Sequence, residues 1–270
     1  MSHPEQLAFV SLIAQHFETR FHDSPILEIG SYSVNGSIRS IFREDSRSAT
    51  EERRYIGADL AEGPGVDIVK SGHEVDFPSN HFGLTISCEC FEHNPYWRET
   101  FINMIRMTKP EGIVAFTCAS RGRLEHGTQR TRPEESPGTS LSGIDYYRNL
   151  YERDFKEALD HENHFYFFKY FYISSSKDLY FIGFKKPLPQ EKKYFIDEAE
   201  IANFVSGVNK IKKLRRTQKG AIKNLIYSIV IDLPFGAMSA LLGESSFQNV
   251  ALKYSTITEY WKRVLSKFAS

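Results

Sequence analysis

A chain of 270 residues with 34 basic and 34 acidic side chains and 41% hydrophobic residues can bury one large core, or one core plus an appendage. Equal charge totals exclude the overall basic excess of a nucleic-acid binder, so no nucleic-acid partner is expected. Cys88, Cys90 and Cys118 sit inside apolar runs, away from disulfide or zinc spacings. Together with an N-terminus lacking the basic start of a signal peptide, they give the expectation of a cytoplasmic protein with reduced thiols.

In chain order, "PEQLAFVSLIAQHFETRF" has apolar residues at helical spacing and predicts a helix. "PILEIG" (25–30) predicts a first strand, and "GSIRSIF" a helix opening after Gly36. "RRYIGADL" (53–60), "GVDIV" (65–69) and "FGLTISC" (82–88) predict three more strands. "PYWRETFINMIRMT" gathers Trp97, Phe101, Met104 and Ile105 on one helical face. "KPEG" then turns the chain into a fifth strand, "IVAFTCA". Residues 120–150 are rich in Gly, Pro, Ser and Arg and predict a long functional loop. After a helix in "YERDFKEALDHE", "HFYFFKYFYIS" and "KDLYFIGFKK" predict an antiparallel hairpin.

The alternation implies a doubly wound Rossmann-like α/β sheet of seven strands, mostly parallel with the last antiparallel. Two units are expected: residues 1–187 with the loop 120–150, and a helical C-terminal extension over 188–270. That extension holds thirteen Lys/Arg against seven Asp/Glu. Its "KIKKLRRTQKGAIK" runs into an apolar stretch broken by Asp232, Pro234 and Gly236. Segment 210–243 is either a peripheral membrane contact or a helical cap or homodimer contact.

Ligands of such sheets lie at the carboxyl ends of the strands. Glu28 and Gly30 end the first strand, Asp59 the second, "SGHE" (71–74) follows the third and "CECFEH" (88–93) the fourth. A dinucleotide fingerprint would need glycine at 30, 32 and 35, but 32 is tyrosine and 35 asparagine. Glu28 would repel a diphosphate and attract an ammonium group. A ligand with both a ribose and an amino acid end is S-adenosylmethionine.

The series "ILEIGSYSVNG", "YIGADL", "PGVDIV", "FGLTISCECFEH" and "MTKPEGIVAFT" resembles class I S-adenosylmethionine-dependent methyltransferases over about residues 25–185. The likeness is to methyltransferase type 11-like members of glycan and cell-surface polysaccharide gene clusters. It implies that Glu28, Gly30 and Ser31, with Gly36 in the same loop, hold the methionine end. Asp59 would bind the ribose hydroxyls and Leu60 pack on adenine. Gly72 and His73 would meet the adenine edge, where Ser71 stands at a position often acidic in the family. Cys88 would offer its backbone to the amino group.

Blander readings stay open: Glu28 as a turn cap, Asp59 as an ordinary strand-end acid, His93 as a loop partner, the cysteines as small buried residues. In the long loop, "HG" followed by "DYYRNL" resembles a substrate-side signature of the same relatives. His126 is the expected general base, or alternatively a loop-closing hydrogen-bonder. Asp145 and His93 are further catalytic candidates. Arg121, Arg123, Arg130 and Arg132 form either a grip for an acidic acceptor or a solvated loop. No metal-ligand cluster stands out, so metal-independent transfer to an oxygen of a small molecule or glycan is expected. The alternative is a catalytically silent methyltransferase-like adaptor.

Overall fold

The computed structural model describes residues 3–42, 55–187, 197–218 and 233–267. Seven strands, β1 (Ile26–Ile29), β2 (Tyr55–Asp59), β3 (Ile68–Val69), β4 (Phe82–Cys88), β5 (Thr108–Ala119), β6 (Phe165–Ile173) and β7 (Asp178–Lys185), form one sheet ordered β3-β2-β1-β4-β5-β7-β6. The first five are mutually parallel. β7 runs against both β5 and β6, which gives the expected single reversed strand.

Helices cover both faces: α1 (Pro4–Phe17), α2 (Arg39–Phe42), α3 (Trp97–Met107), α4 (Pro137–Ser142), α5 (Glu152–Ala158), α6 (His161–His164), α7 (Glu198–Gln218), α8 (Leu233–Leu241) and α9 (Glu244–Lys267). Because both faces are covered, β1 and β4 are buried at every residue and read as continuous apolar runs. The two-residue period still sorts them. Ile26 packs with α1, whereas Leu27 and Ile29 pack with α3.

Two sequence expectations change. β5 starts at Thr108, so "KPEG" belongs to the strand; Glu111 takes a left-handed φ of 65° there, and the β4 register shifts between Phe82 and Leu84. The loop 120–150 contains α4. In the expected extension, α7 packs on the sheet. Phe204, Val208 and Ile211 of α7 are buried in the α1-side core, with Phe204 5.1 Å from the Phe17 ring. Each such side chain stabilises by about 1.5–3 kcal/mol. Gly207 permits the approach, since a Cβ there would lie 2.8 Å from Leu12 Cδ2.

α8 and α9 form a satellite core of Phe235, Phe247 and Ala251 against Leu124 in the long loop. Of the proposed contact segment 210–243, residues 219–232 lie outside the described residues. No helix among the described residues is long and apolar enough to cross a membrane.

Candidate active site

At the carboxyl ends of β1, β2 and β4 a cleft opens, where ligands of open α/β sheets bind. Ile29, Ala58 and Leu60 give it an apolar wall, and Ser71 and Gly72 close the β3 side. Asp59 stands between them, its Oδ2 accepting the Tyr32 N–H at 2.9 Å and its Oδ1 the Leu60 N–H at 2.7 Å. Burial raises its carboxyl, and these two amides oppose the shift. Each oxygen keeps a lone pair for a ligand hydroxyl. The stretch 135–139 folds over this acid, and Gly138 lies so close that a Cβ would be 2.3 Å from Asp59 Oδ1.

Of the residues expected to hold a cofactor, Gly30, Asp59, Leu60, Gly72 and Cys88 line the cavity. Glu28, Ser31, Gly36 and His73 are not among its lining residues. Glu28 shares the Ile26 side of β1, opposite Ile29, and its Oε2 accepts the Tyr55 hydroxyl proton at 2.7 Å. Burial pushes it up to about 7. Ser31 is buried beside Gly57. Gly36, at φ 116°, serves the turn into α2. His73 is held by the Ser71 hydroxyl at 2.8 Å and packs on the Tyr96 ring. Gly30 also has a different reason from the expected ligand approach: at φ 82°, a Cβ would lie 2.5 Å from Cys90 Cβ.

Beyond Cys88 the cavity reaches His93. His93 and His126 meet edge to face, ring centres 5.0 Å apart, and Tyr147 contacts both. Burial, then the facing His126, lowers His93 well below its ordinary value; burial, then Arg123, lowers His126 to about 4. Both rings are therefore neutral near pH 7. His126 is not among the cavity-lining residues, so His93 stands nearer the ligand than the expected base. Asp145 is exposed and accepts the Gln129 N–H at 3.0 Å, a loop-closing role.

The arginine strip is dispersed. Arg130 pairs with Glu125, Arg132 with Glu135 at 2.7 Å, and Arg123 donates to the Ser176 carbonyl beside Asp178. The cysteine thiols are raised by burial, Cys88 to about 12, so they are not nucleophiles.

Sequence reasoning missed the polar nest behind His93. His3, Glu89 and Asp178 come together there, with His3 Nε2 3.0 Å from Asp178 Oδ2. Burial works to lower His3, but Asp178, Glu5 and Glu89 outweigh it and raise it to about 11. Despite burial, His3 and Arg123 hold Glu89 well below the ordinary carboxylate range. Burial, then Glu89, pushes Glu92 well up. The carboxylate oxygens of Glu89, Glu92 and Asp178, and His93 Nδ1, have no aligned hydrogen-bond partner among the described residues. Two groups among the described residues bring possible metal ligands together: Glu92, His93 and His126 form one, and His3, Glu89 and Asp178 the other. Only the adjacent "EH" pair hinted at either.

Residues 43–116, running from the end of α2 into β5, match the family model described as a methyltransferase domain. No curated protein matches the chain. Among solved structures it is similar to the Burkholderia thailandensis 1,6-didemethyltoxoflavin-N1-methyltransferase with bound S-adenosylhomocysteine: 12% identity, 68% of this chain and 80% of that one, TM-score 0.44. It is also similar to the N-methyltransferase NodS of Bradyrhizobium japonicum with S-adenosylhomocysteine: 13% identity, 69% and 90%, TM-score 0.43. Methyltransferases of this family use S-adenosylmethionine, and the cavity has groups suited to it. The carboxylate of Asp59 can take ribose hydroxyls, and Leu60 and Ile29 supply apolar area for adenine.

Proposed function

We propose that the chain transfers a methyl group from S-adenosylmethionine to an oxygen of a small molecule or glycan. The observation that carries the donor is Asp59: a half-buried acid at the tip of β2, braced by two backbone amides, facing a cavity with an apolar wall. S-adenosylmethionine supplies an already activated methyl group, so the protein's work is positioning and exclusion of water. Asp59 accepts the two ribose hydroxyls and fixes the register of the ligand along the strand tips. Ile29, Ala58 and Leu60 keep water from its base, and the 135–139 stretch covers the sugar. The acceptor approaches from the His93 side, where uncharged imidazoles and unpartnered carboxyl oxygens suit a polyhydroxylated molecule better than an apolar one.

Calorimetry with S-adenosylmethionine and S-adenosylhomocysteine tests the donor. The wild type should bind both, Asp59→Ala should weaken binding by about 100-fold or more, and Asp59→Asn by less, because hydrogen bonds to a charged acceptor contribute about 1.5–3 kcal/mol each. Absence of wild-type binding removes the enzyme reading and leaves the silent adaptor. Labelled methyl donor with a panel of nucleotide-sugars, lipid-linked sugars and free glycans, read by product mass spectrometry, tests the acceptor.

A further inference from the structure

We propose that Glu92, His93 and His126 bind a divalent transition-metal ion of the zinc class at the acceptor end of the cavity. Their donor atoms already lie within 4.8 Å of one another. Zinc bonds of about 2.0–2.2 Å in tetrahedral geometry call for donors roughly 3.4 Å apart, so closing on an ion takes about 1 Å of side-chain movement.

The side chains are also prepared as ligands. His126 Nδ1 lies 3.1 Å from the Leu124 carbonyl and donates to it, which leaves the Nε2 lone pair free. A metal-bound imidazole has this arrangement: its second nitrogen donates to a carbonyl that fixes tautomer and ring angle. His93 Nδ1 is buried and unpartnered. Glu92 has no exposed surface, and neither of its oxygens has an aligned partner. Buried polar atoms without partners are costly, and a cation would satisfy all three residues at once.

The surroundings hold the pair in place. Tyr147 packs on both rings and ties its hydroxyl to the Leu124 carbonyl at 3.1 Å. Gly127, at φ 66°, backs onto His93 so closely that a Cβ would lie 2.8 Å from Cε1. The second group is unsuited to a metal, because His3 already places Nε2 against Asp178 and Nδ1 against Glu5, leaving no nitrogen lone pair for one.

Two imidazoles and one carboxylate select zinc, iron(II), cobalt(II) or nickel(II) over magnesium or calcium. Three protein ligands leave a fourth position open. Since His93 is the member of the group that lines the cavity, that position faces the incoming acceptor. The placement rests on the methyl-transfer reading; the metal site does not.

The test uses tag-free protein with no methyl donor present. After loading with Zn²⁺ or Co²⁺ and desalting, the wild type should retain about one equivalent by elemental analysis, and the cobalt form should show visible d–d absorption. His126→Ala and Glu92→Gln should each weaken retention at least tenfold, while His22→Ala, a surface histidine, should not. X-ray absorption of zinc-loaded wild type should count two imidazoles and no sulfur, a readout that holds even where a variant fails to fold. Retention below about a tenth of an equivalent, retention unchanged in the variants, or a sulfur-containing shell overturns the site. S-adenosylhomocysteine binding by the same sample separates that failure from failure of the methyltransferase reading.

Discussion

The two ends of the cavity handle buried polarity in opposite ways. At the tips of β1 and β2, the oxygens of Asp59 meet backbone amides from their own strand tips and loop, so the acid is braced before any ligand arrives. At the tips of β4 and β7, Glu89, Glu92, Asp178 and His93 carry buried atoms with no aligned partner. The first end is braced by its own backbone; the second keeps its buried atoms unpartnered, and its charges balance only as a group. Removing one member should therefore cost far more there than at the braced end.

His3→Ala should have the largest effect. It leaves Glu5, Glu89 and Asp178 with Arg123 as the remaining nearby cation. Breaking a buried ion group by deleting one partner costs about 3–5 kcal/mol. A histidine raised from 6.5 to about 11 in the folded state contributes stability that is fully present below pH 6.5 and lost as pH rises through 11. Urea denaturation should thus show the variant's deficit largest at pH 6 and smaller at pH 9.5. His3 is also the N-cap of α1, its Nδ1 accepting the Gln6 N–H at 3.4 Å, and a deficit independent of pH would mean that it acts only there.

How far the sequence discloses each end follows from the same contrast. The braced end is built from short consecutive stretches, "ILEIG" and "YIGADL", whose order along the chain reflects their order in the sheet, so Asp59, Leu60 and Gly30 are legible. The unbraced end joins His3, Glu89, Arg123 and Asp178, residues far apart in the chain, and no local spacing announces such a group. Glu28 shows the limit even at the legible end. Its place in a motif suggests a ligand contact, but one step of strand alternation turns it from the cavity toward Tyr55.

Glu28→Gln sharpens that point with a moderate effect. An acid raised from 4.5 to about 7 holds its proton longer folded than unfolded; its contribution is full below pH 4.5 and is lost as pH rises through 7. Glutamine keeps an acceptor for the Tyr55 hydroxyl and carries no charge. The variant should be more stable than wild type by about 3 kcal/mol at pH 8 and near parity at pH 4. Affinity for S-adenosylhomocysteine should be unchanged. A tenfold loss of that affinity would return Glu28 to the ligand site.

The smallest effect concerns what supports the unbraced end from outside. Gln248 of α9 is buried, accepts the Glu125 N–H at 2.8 Å and donates to the Arg123 carbonyl at 2.9 Å. It therefore ties the C-terminal helix to Arg123 and Glu125, two of the three residues before His126. Deleting one such buried bridge costs about 1–2 kcal/mol, near tenfold in a local opening equilibrium. In Gln248→Ala, hydrogen exchange at the Glu125 amide should quicken about tenfold, while the Tyr32 and Leu60 amides on Asp59 keep their protection. Equal loosening of all three would mean that the two ends open as one unit, and that the cavity's halves share a single stability.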